Sequence, residues 1–330
     1  MYDLVTFGEC MLRLSPPGFQ RIEQATSFNA NAGGAEMNVA VAASRFGMRT
    51  AYVTCLPNNP LGRMITNKIR EHGVDCSHIV YTKEGRTGIY FVEFGANPRP
   101  NTVLYDRGNS AISNIRPGGI NWNVILQDVR VFHTSGITPA LSKNAEKVTR
   151  EAMEIASKKG ATVSFDLNYR AKLWSEEEAQ KIITPLMEFC DILITTEEDT
   201  YRVFKIKKEN YEKVAEELQK AFNFRIVVIT LRENITVWRN NWTAIAYSDG
   251  KLYRDETYEV EVVDRVGSGD SFTAGFLYGY LKFKKDIEMA LKYGNASAVL
   301  KHSIPGDLNL VTIDEVKKIV EGKRTIRIER

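Results

Sequence analysis

The chain has 330 residues, of which 43% are hydrophobic, and its formal net charge is only +3. A chain of this length can bury a substantial core without disulfides or structural metals. Lys and Arg are interspersed with Asp and Glu, and no stretch approaches the roughly 20 apolar residues of a membrane span, so the composition argues against nucleic-acid and membrane partners.

The cysteine spacing and the N-terminal sequence predict neither a structural metal site nor a signal peptide. The four cysteines are far apart and form no Cys-x-x-Cys pair, so a structural zinc site is not expected. The N-terminus lacks a basic region followed by a long apolar run, and it predicts a first strand rather than a signal peptide. We expect a cytoplasmic protein with reduced thiols, and a solvated tail where the chain becomes basic over 323–330.

Taken in chain order, apolar runs alternate with amphipathic stretches. Strands are predicted at 4–7, 50–55, 129–133, 162–166, 191–195 and 225–230, and helices at 36–46, 142–160, after Ser175 and at 210–222. Continuously apolar strands separated by helices are typical of a parallel sheet covered on both faces. The sequence therefore predicts an α/β protein with a three-layer α/β/α, doubly wound and mostly parallel sheet.

Two segments interrupt this alternation. Residues 11–36 contain Pro16-Pro17-Gly18 without a helical period, and residues 85–107 alternate, turn at 95–100 and return as a hairpin. We predict that both pair into a small β-sheet lying over the substrate site of a core made of 1–10, 37–84 and 108–330. Such a sheet would act as a lid or as a contact between two copies, and its exposed edge favours a homo-oligomer through the lid.

The strongest chemical motif lies near the C-terminus. A strand over 259–263 leads into Gly267, Ser268, Gly269 and Asp270, where an apolar helix is predicted to begin. Glycines let a phosphate approach the backbone, and the free N–H groups and dipole of a helix N-terminus favour an anion there. A carboxylate beside that anion can take the proton of an attacking alcohol, although an Asp at this position also serves as a plain helix cap. Asp264 is expected to order the turn.

A second glycine motif precedes the first helix. Gly33 and Gly34 are followed by Glu36 and Asn38. Gly33 and Gly34 would let a polyol touch the main chain, and Asn38 would bond its hydroxyls or pin the loop. A plain helix start explains this segment nearly as well.

Together the two motifs resemble those of the ribokinase-like (PfkB) carbohydrate kinases, over essentially the whole chain. The form of residues 33–38, with Asp166 to Arg170 in mid-chain, is similar to the 2-keto-3-deoxygluconate kinases within that family. The resemblance implies ATP and Mg²⁺ as cofactors, and Asp270 as the base that activates a terminal sugar hydroxyl. Backbone amides of 267–270 would form the anion hole, and Glu198 would act on Mg²⁺ through water.

The same resemblance implies two sets of binding residues. Nucleotide contacts would come from Asn168, Arg170, Thr195, Thr230, Arg232, Gly267, Gly269 and Asn295. Two of these depart from the family, because Thr195 replaces an Asn and Arg232 replaces the Gly of a Thr-Leu-Gly nucleotide loop. Substrate contacts would come from Gly34, Asn38, Tyr90, Tyr105, Arg107, Arg170, Asp270 and Asp307. The residues alone leave two alternatives open, since Tyr90 and Tyr105 are also typical of an ordinary strand and Arg107 of a surface charge.

Substrate identity depends on the cations in this second set. A sugar acid presents a carboxylate, which a forked Arg binds well, so Arg107 and Arg170 favour a 2-keto-3-deoxygluconate kinase. Arg170 is an equally good ligand for an ATP phosphate, and a fructokinase is the main alternative. A nicotinamide dehydrogenase is disfavoured because no Gly-x-Gly-x-x-Gly follows the first strand. A non-catalytic sugar sensor is disfavoured by the presence of Asp270.

Overall fold

A computed structural model describes residues 1–323, so part of the basic tail lies outside the described residues. The strands are β1 (Leu4–Phe7), β2 (Met11–Ser15), β3 (Asn29–Gly33), β4 (Thr50–Val53), β5 (Cys55–Pro57), β6 (Val80–Thr82), β7 (Gly88–Glu93), β8 (Thr102–Asp106), β9 (Val131–Ser135), β10 (Thr162–Asp166), β11 (Ile192–Thr195), β12 (Ile226–Asn234), β13 (Arg239–Ser248), β14 (Lys251–Arg254) and β15 (Tyr258–Glu261). The α-helices are α1 (Ala35–Arg45), α2 (Pro60–Arg70), α3 (Trp122–Ile125), α4 (Lys143–Lys158), α5 (Glu176–Ile183), α6 (Glu197–Phe204), α7 (Tyr211–Phe222), α8 (Ser268–Lys282), α9 (Ile287–Lys301) and α10 (Ile313–Val320).

The main sheet has nine strands in the order β14-β13-β12-β11-β10-β9-β1-β4, with β15 also paired to β13. The six strands from β12 to β4 are parallel, whereas β13 runs antiparallel to β12, β14 and β15. The predicted α/β class with a mostly parallel sheet is confirmed. The antiparallel extension was not predicted.

Two apolar layers cover this sheet, which explains why its central strands are apolar throughout. Along β9, Val131 packs into the cluster formed with α1, α8, α9 and α10, whereas the next residue, Phe132, packs into the cluster formed with α4, α5 and α7. Successive strand residues point to opposite faces, so both faces must be apolar when helices cover both. The carboxyl ends of the parallel strands are thereby left as the open edge.

A separate four-stranded sheet has the order β3-β2-β7-β8. Strands β2 and β7 are parallel and pair Arg13 with Tyr90, while β3 and β8 lie antiparallel at the two edges. Its strands come from the two segments that interrupt the α/β alternation. Among the described residues, no helix is both long enough and apolar enough to cross a membrane.

Candidate active site

A cavity of about 660 Å³ lies between the small sheet and the carboxyl ends of β10 and β11. It is bordered by the N-termini of α1 and α8, as expected for a crevice at the carboxyl ends of parallel strands. The predicted site residues that line it are Gly34, Asn38, Tyr90, Tyr105, Arg107, Asn168, Arg170, Thr195, Glu198, Thr230, Arg232, Gly267, Ser268, Gly269, Asp270 and Asp307. The fold therefore brings together residues more than 270 positions apart in sequence.

The glycine turn before α8 has the geometry of an anion hole. The helix begins at Ser268, two residues earlier than predicted, and its first internal bond joins Ser271 N–H to the Gly267 carbonyl at 2.9 Å. The N–H groups of Gly269 and Asp270 therefore have no acceptor inside the helix. Gly267 has a φ of 83°, and a Cβ there would overlap the carbonyl oxygen of Asp307. Both constraints require glycine at this position.

Asp270 lies at the start of this helix, half-buried in the cavity wall. Its Oδ2 accepts a hydrogen bond from Asn38 Nδ2 at 2.7 Å. Burial raises the pKa of Asp270 to about 6, opposed by the Asn38 hydrogen bond and by the charge of Arg170. The carboxylate is thus still ionised at neutral pH but is a stronger base than an ordinary aspartate, as general-base catalysis requires.

Two other acidic side chains lie close to Asp270. Glu36 is fully buried, and its Oε1 accepts hydrogen bonds from Ser135 N–H, Ser135 Oγ and Thr138 Oγ1 at 2.6 to 3.0 Å. Glu36 thus ties the start of α1 to the end of β9 beneath the cavity rather than within it. Asp166, at the end of β10, does line the cavity, and burial together with the charge of Asp270 raises its pKa to about 8.

The small sheet supplies one end of the cavity. Arg107 forms an ion pair with the buried Glu9, and its guanidinium lies 5.4 Å from the centre of the Tyr105 ring. Tyr105 stacks on Tyr90, whose hydroxyl donates a hydrogen bond to Asp307. Within the described part of the chain, Arg107 Nε and Glu9 Oε1 are buried without a hydrogen-bond partner. The hydrogen-bonding capacity of this ion pair is therefore not fully used within the protein.

The other end of the cavity is cationic. Arg170, Arg232 and Arg265 all line it, and Arg170 and Arg232 are exposed. Arg265 is held by hydrogen bonds to the side chain of Asn234 and the carbonyl of Val237. Several guanidinium groups around one cavity suit a ligand that carries several phosphates.

Three predicted nucleotide residues, and the predicted Mg²⁺ residue Glu198, have local partners. Thr195 Oγ1 bonds the Thr196 carbonyl and lies 3.1 Å from Thr200 Oγ1, and Thr230 Oγ1 donates to the Thr195 carbonyl at 3.4 Å. Asn168, with a φ of 38°, donates to Asp166 at 3.3 Å. Glu198 is exposed and pairs with Arg202 one helical turn away.

Two features differ from the sequence prediction. Residues 230–232 do not form a loop, because Thr230, Leu231 and Arg232 pair with residues of β13 inside the long strand β12. Asn295 does not line the cavity: it is fully buried and bridges Trp242 Nε1 at 3.1 Å and Asp255 Oδ2 at 2.9 Å. Asn295 therefore packs α9 against the antiparallel extension, which the sequence did not predict.

Sequence reasoning also missed Glu9, Arg265 and a buried arginine, Arg13. Glu9 follows the first strand and Arg265 lies inside the glycine motif, so their positions alone could have identified them. Arg13 gave no such signal, because an Arg inside an alternating strand ordinarily faces solvent.

Comparison with known proteins identifies several relatives of the chain. The family model described as pfkB family carbohydrate kinase matches residues 1–311. A 2-dehydro-3-deoxygalactonokinase of Haloferax volcanii is 41% identical over 97% of both chains, and a 5-dehydro-2-deoxygluconokinase of Bacillus licheniformis is 30% identical over 98% of this chain and 97% of its own.

A solved structure, the 2-dehydro-3-deoxygluconokinase of Thermotoga maritima, superimposes with a TM-score of 0.94 at 44% identity, covering 98% of this chain and 99% of its own. The family match, the two relatives and this structure each span nearly the whole chain, so the expected family is confirmed. The protein belongs to the pfkB family of carbohydrate kinases.

Proposed function

We propose that this carbohydrate kinase transfers the γ-phosphoryl group of ATP to the terminal hydroxyl of 2-keto-3-deoxygluconate. The observation that carries the proposal is the position of Asp270, at the junction of the anion-hole turn and the wall formed by the small sheet. Relatives named for 2-keto-3-deoxy sugar acids, at 41% and 44% identity over nearly the whole chain, support a sugar acid as the substrate class.

The chemistry follows from the residues at that junction. Asp270 accepts the proton of the sugar hydroxyl, whose oxygen forms a new bond to the γ-phosphorus. The bond to the β–γ bridging oxygen breaks, and its electron pair leaves with ADP. Negative charge on the transferred group is stabilised by the backbone N–H groups of Gly269 and Asp270 and by the helix dipole.

The carboxylate of the substrate requires a cation, and Arg107 is the better of the two candidates. It lines the cavity on the side of the small sheet, where the ion pair with Glu9 and the Tyr105 ring hold its guanidinium. Arg170 lies on the cationic side with Arg232 and Arg265, so we assign it to ATP phosphate.

The residues at the cationic end fit a nucleotide with its metal. Mg²⁺ commonly keeps several waters and is held by one or two carboxylates together with substrate phosphates. No group of three His, Cys, Asp or Glu residues within 1–323 is arranged to hold a metal. The exposed Glu198 suits a contact through water, and bound Mg²⁺ would supply charge neutralisation on the phosphates.

A second candidate substrate is 2-keto-3-deoxygalactonate, which differs in configuration at C4. The name of the Haloferax volcanii relative favours it. Turnover should be measured as ADP release with both sugar acids and with fructose, ribose and adenosine. Comparable kcat/KM for the two acids would indicate that no residue of the site distinguishes the configuration at C4. A clear preference for neutral fructose would refute the carboxylate argument and favour a fructokinase.

The assignment of Arg107 has its own test. Arg107→Leu should raise KM for the sugar acid at least about tenfold, because a charged hydrogen bond contributes roughly 1.5–3 kcal/mol. Arg116→Leu is a suitable control, since Arg116 is exposed and pairs only with the exposed Glu84 in the described structure. An equal effect of Arg107→Leu on KM for fructose would show that the guanidinium does not bind the substrate carboxylate.

A further inference from the structure

Arg13 is a buried arginine that the mechanism above does not use. It lies on β2 with only 1% of its surface exposed, and its three nitrogens are all committed. Nη2 donates to Asp264 at 2.7 Å, Nη1 donates to Asp307 at 2.8 Å, and Nε donates to Ser15 at 3.0 Å. One guanidinium group therefore joins the small sheet to two carboxylates of the α/β core.

Each of those carboxylates controls a different part of the active site. Asp264 accepts the N–H groups of Val266 and Gly306 at 3.0 and 2.9 Å, and so shapes the turn that leads into the anion hole. Asp307 accepts the Tyr90 hydroxyl and lines the cavity. Arg13 thus donates through Nη2 to Asp264, which supports the phosphate end, and through Nη1 to Asp307, which supports the sugar end.

The register of the small sheet makes this link direct. Arg13 and Tyr90 are paired neighbours on β2 and β7, and both side chains reach Asp307. The carbonyl of Asp307 in turn packs so closely on Gly267 that no side chain fits there. A displacement of β2 would therefore move Tyr90, Asp307 and the Gly267 turn relative to one another.

A second buried cation supports the same turn from the core. Lys301 is fully buried, and its Nζ donates to the carbonyls of Asp264 and Ile304 at 3.2 and 3.0 Å. Unlike Arg13, which belongs to the small sheet, Lys301 directs these hydrogen bonds only to carbonyls of the α/β core in the described part of the chain. Of these two described cations, Arg13 is the one whose forked geometry can bond Asp264 and Asp307 at once.

We propose that Arg13 is a positioning residue for phosphoryl transfer, which holds the sugar-contacting wall of the small sheet in register with the anion-hole turn. This inference rests on the proposed role of Asp270. Its chemical consequence is that the sugar hydroxyl and the γ-phosphate stay aligned while water is kept from the phosphate. Misplacement of reacting groups by about 1 Å costs roughly 100-fold in rate, so the link matters to catalysis even though Arg13 does not line the cavity.

The test compares Arg13→Lys with Arg13→Met. Lysine keeps the buried positive charge but cannot bridge both carboxylates, whereas methionine leaves two buried carboxylates without their cation and is expected to fold poorly. For Arg13→Lys we expect kcat per folded enzyme to fall roughly 10- to 100-fold. We also expect ADP released per sugar phosphate formed to rise above one, as water replaces the sugar hydroxyl.

Arg86→Met is the matched control, because Arg86 also belongs to the lid segment but pairs with Asp106 of the same sheet rather than with the core. Circular dichroism and thermal unfolding give the folded fraction of each variant. If Arg13→Lys matches both wild type and Arg86→Met in kcat per folded enzyme, in KM for sugar and ATP, and in the ADP to sugar phosphate ratio, the proposal is overturned. A loss of folded protein with unchanged kinetics in the folded fraction also overturns it.

Failure of this inference is distinguishable from failure of the proposed function. Asp270→Asn in the wild-type background tests the base, whatever the Arg13 variants do. If wild type prefers another sugar, the substrate assignment fails, and the Arg13 comparison is made with the sugar that is turned over.

Discussion

The hydrogen bond between Asn38 and Asp270 should set the pH at which the enzyme becomes active. Asn38 is 3% exposed, and its Nδ2 lies 2.7 Å from Asp270 Oδ2. This donor stabilises the ionised carboxylate and opposes the burial that raises the pKa of Asp270 to about 6. Asn38→Leu, which is close in size but has no donor, removes that stabilisation and should raise the pKa further.

The size of the shift follows from the strength of the bond. A hydrogen bond to a charged group contributes roughly 1.5–3 kcal/mol, and one pKa unit corresponds to about 1.4 kcal/mol, so the pKa should rise by about 1–2 units. At pH 7 the ionised fraction of Asp270 would then fall from about 0.9 to between roughly 0.5 and 0.1. Because the base must be ionised to accept a proton, the loss is greatest at low pH and is recovered as pH rises.

The assay is the pH dependence of kcat at saturating ATP and sugar, for wild type and Asn38→Leu. We expect the acidic limb of wild type near pH 6 and that of the variant near pH 7–8, with similar kcat at pH 9. Asn121→Leu is a control, since Asn121 caps the short helix α3 and does not line the cavity. A variant limb that stays at the wild-type pH, with kcat lowered equally at all pH values, would refute the idea that Asn38 controls the ionisation of Asp270.

Three further predictions test the same geometry. Gly267→Ala should lower kcat at least roughly 100-fold in the ADP-release assay and destabilise the fold by about 1–3 kcal/mol in denaturant unfolding, because of its φ of 83° and its contact with Asp307. Asp270→Asn should abolish turnover, yet raise the melting temperature at pH 8 by a few degrees. The raised pKa of Asp270 means that folding favours its protonated carboxyl, so the native state loses stability as pH rises through about 6. The uncharged amide of the variant does not ionise, so the variant does not lose this stability. Glu36→Gln should leave KM for the sugar acid within about twofold, because the Glu36 carboxyl is fully buried beneath the site; a larger change would place it in substrate recognition.

Local sequence patterns predicted the elements that depend on periodicity and capping. The continuously apolar strands β9 to β12 are parallel and buried, and Ser142, Ser175 and Asn210 cap α4, α5 and α7 through their side chains. These features are encoded within a few residues, so reading them needs no knowledge of distant contacts.

The antiparallel extension of the sheet could not be predicted from local sequence patterns. Strand β13 contains Arg239, Asn240 and Asn241, a polar start that gives no strand signal. It becomes a strand because β12 continues to Asn234 and offers an unpaired edge, with β15 pairing on the other side. The buried position of Asn295 could not be predicted for the same reason, since its partner Trp242 belongs to this strand.

The alignment of the two halves of the active site could not be predicted from either motif. The sugar wall comes from residues before 110, and the anion hole and its supports come from residues after 260. They are joined by side-chain hydrogen bonds that span 217 to 294 positions: Asn38 with Asp270, Arg13 with both Asp264 and Asp307, and Tyr90 with Asp307. Each motif specifies what its own half can bind. Phosphoryl transfer also requires the sugar hydroxyl and the phosphate to be positioned relative to each other to better than about 1 Å. The buried polar contacts that meet this requirement have no local periodicity in the sequence. For this reason a buried arginine in an ordinary strand can matter to catalysis as much as the glycines of the two motifs.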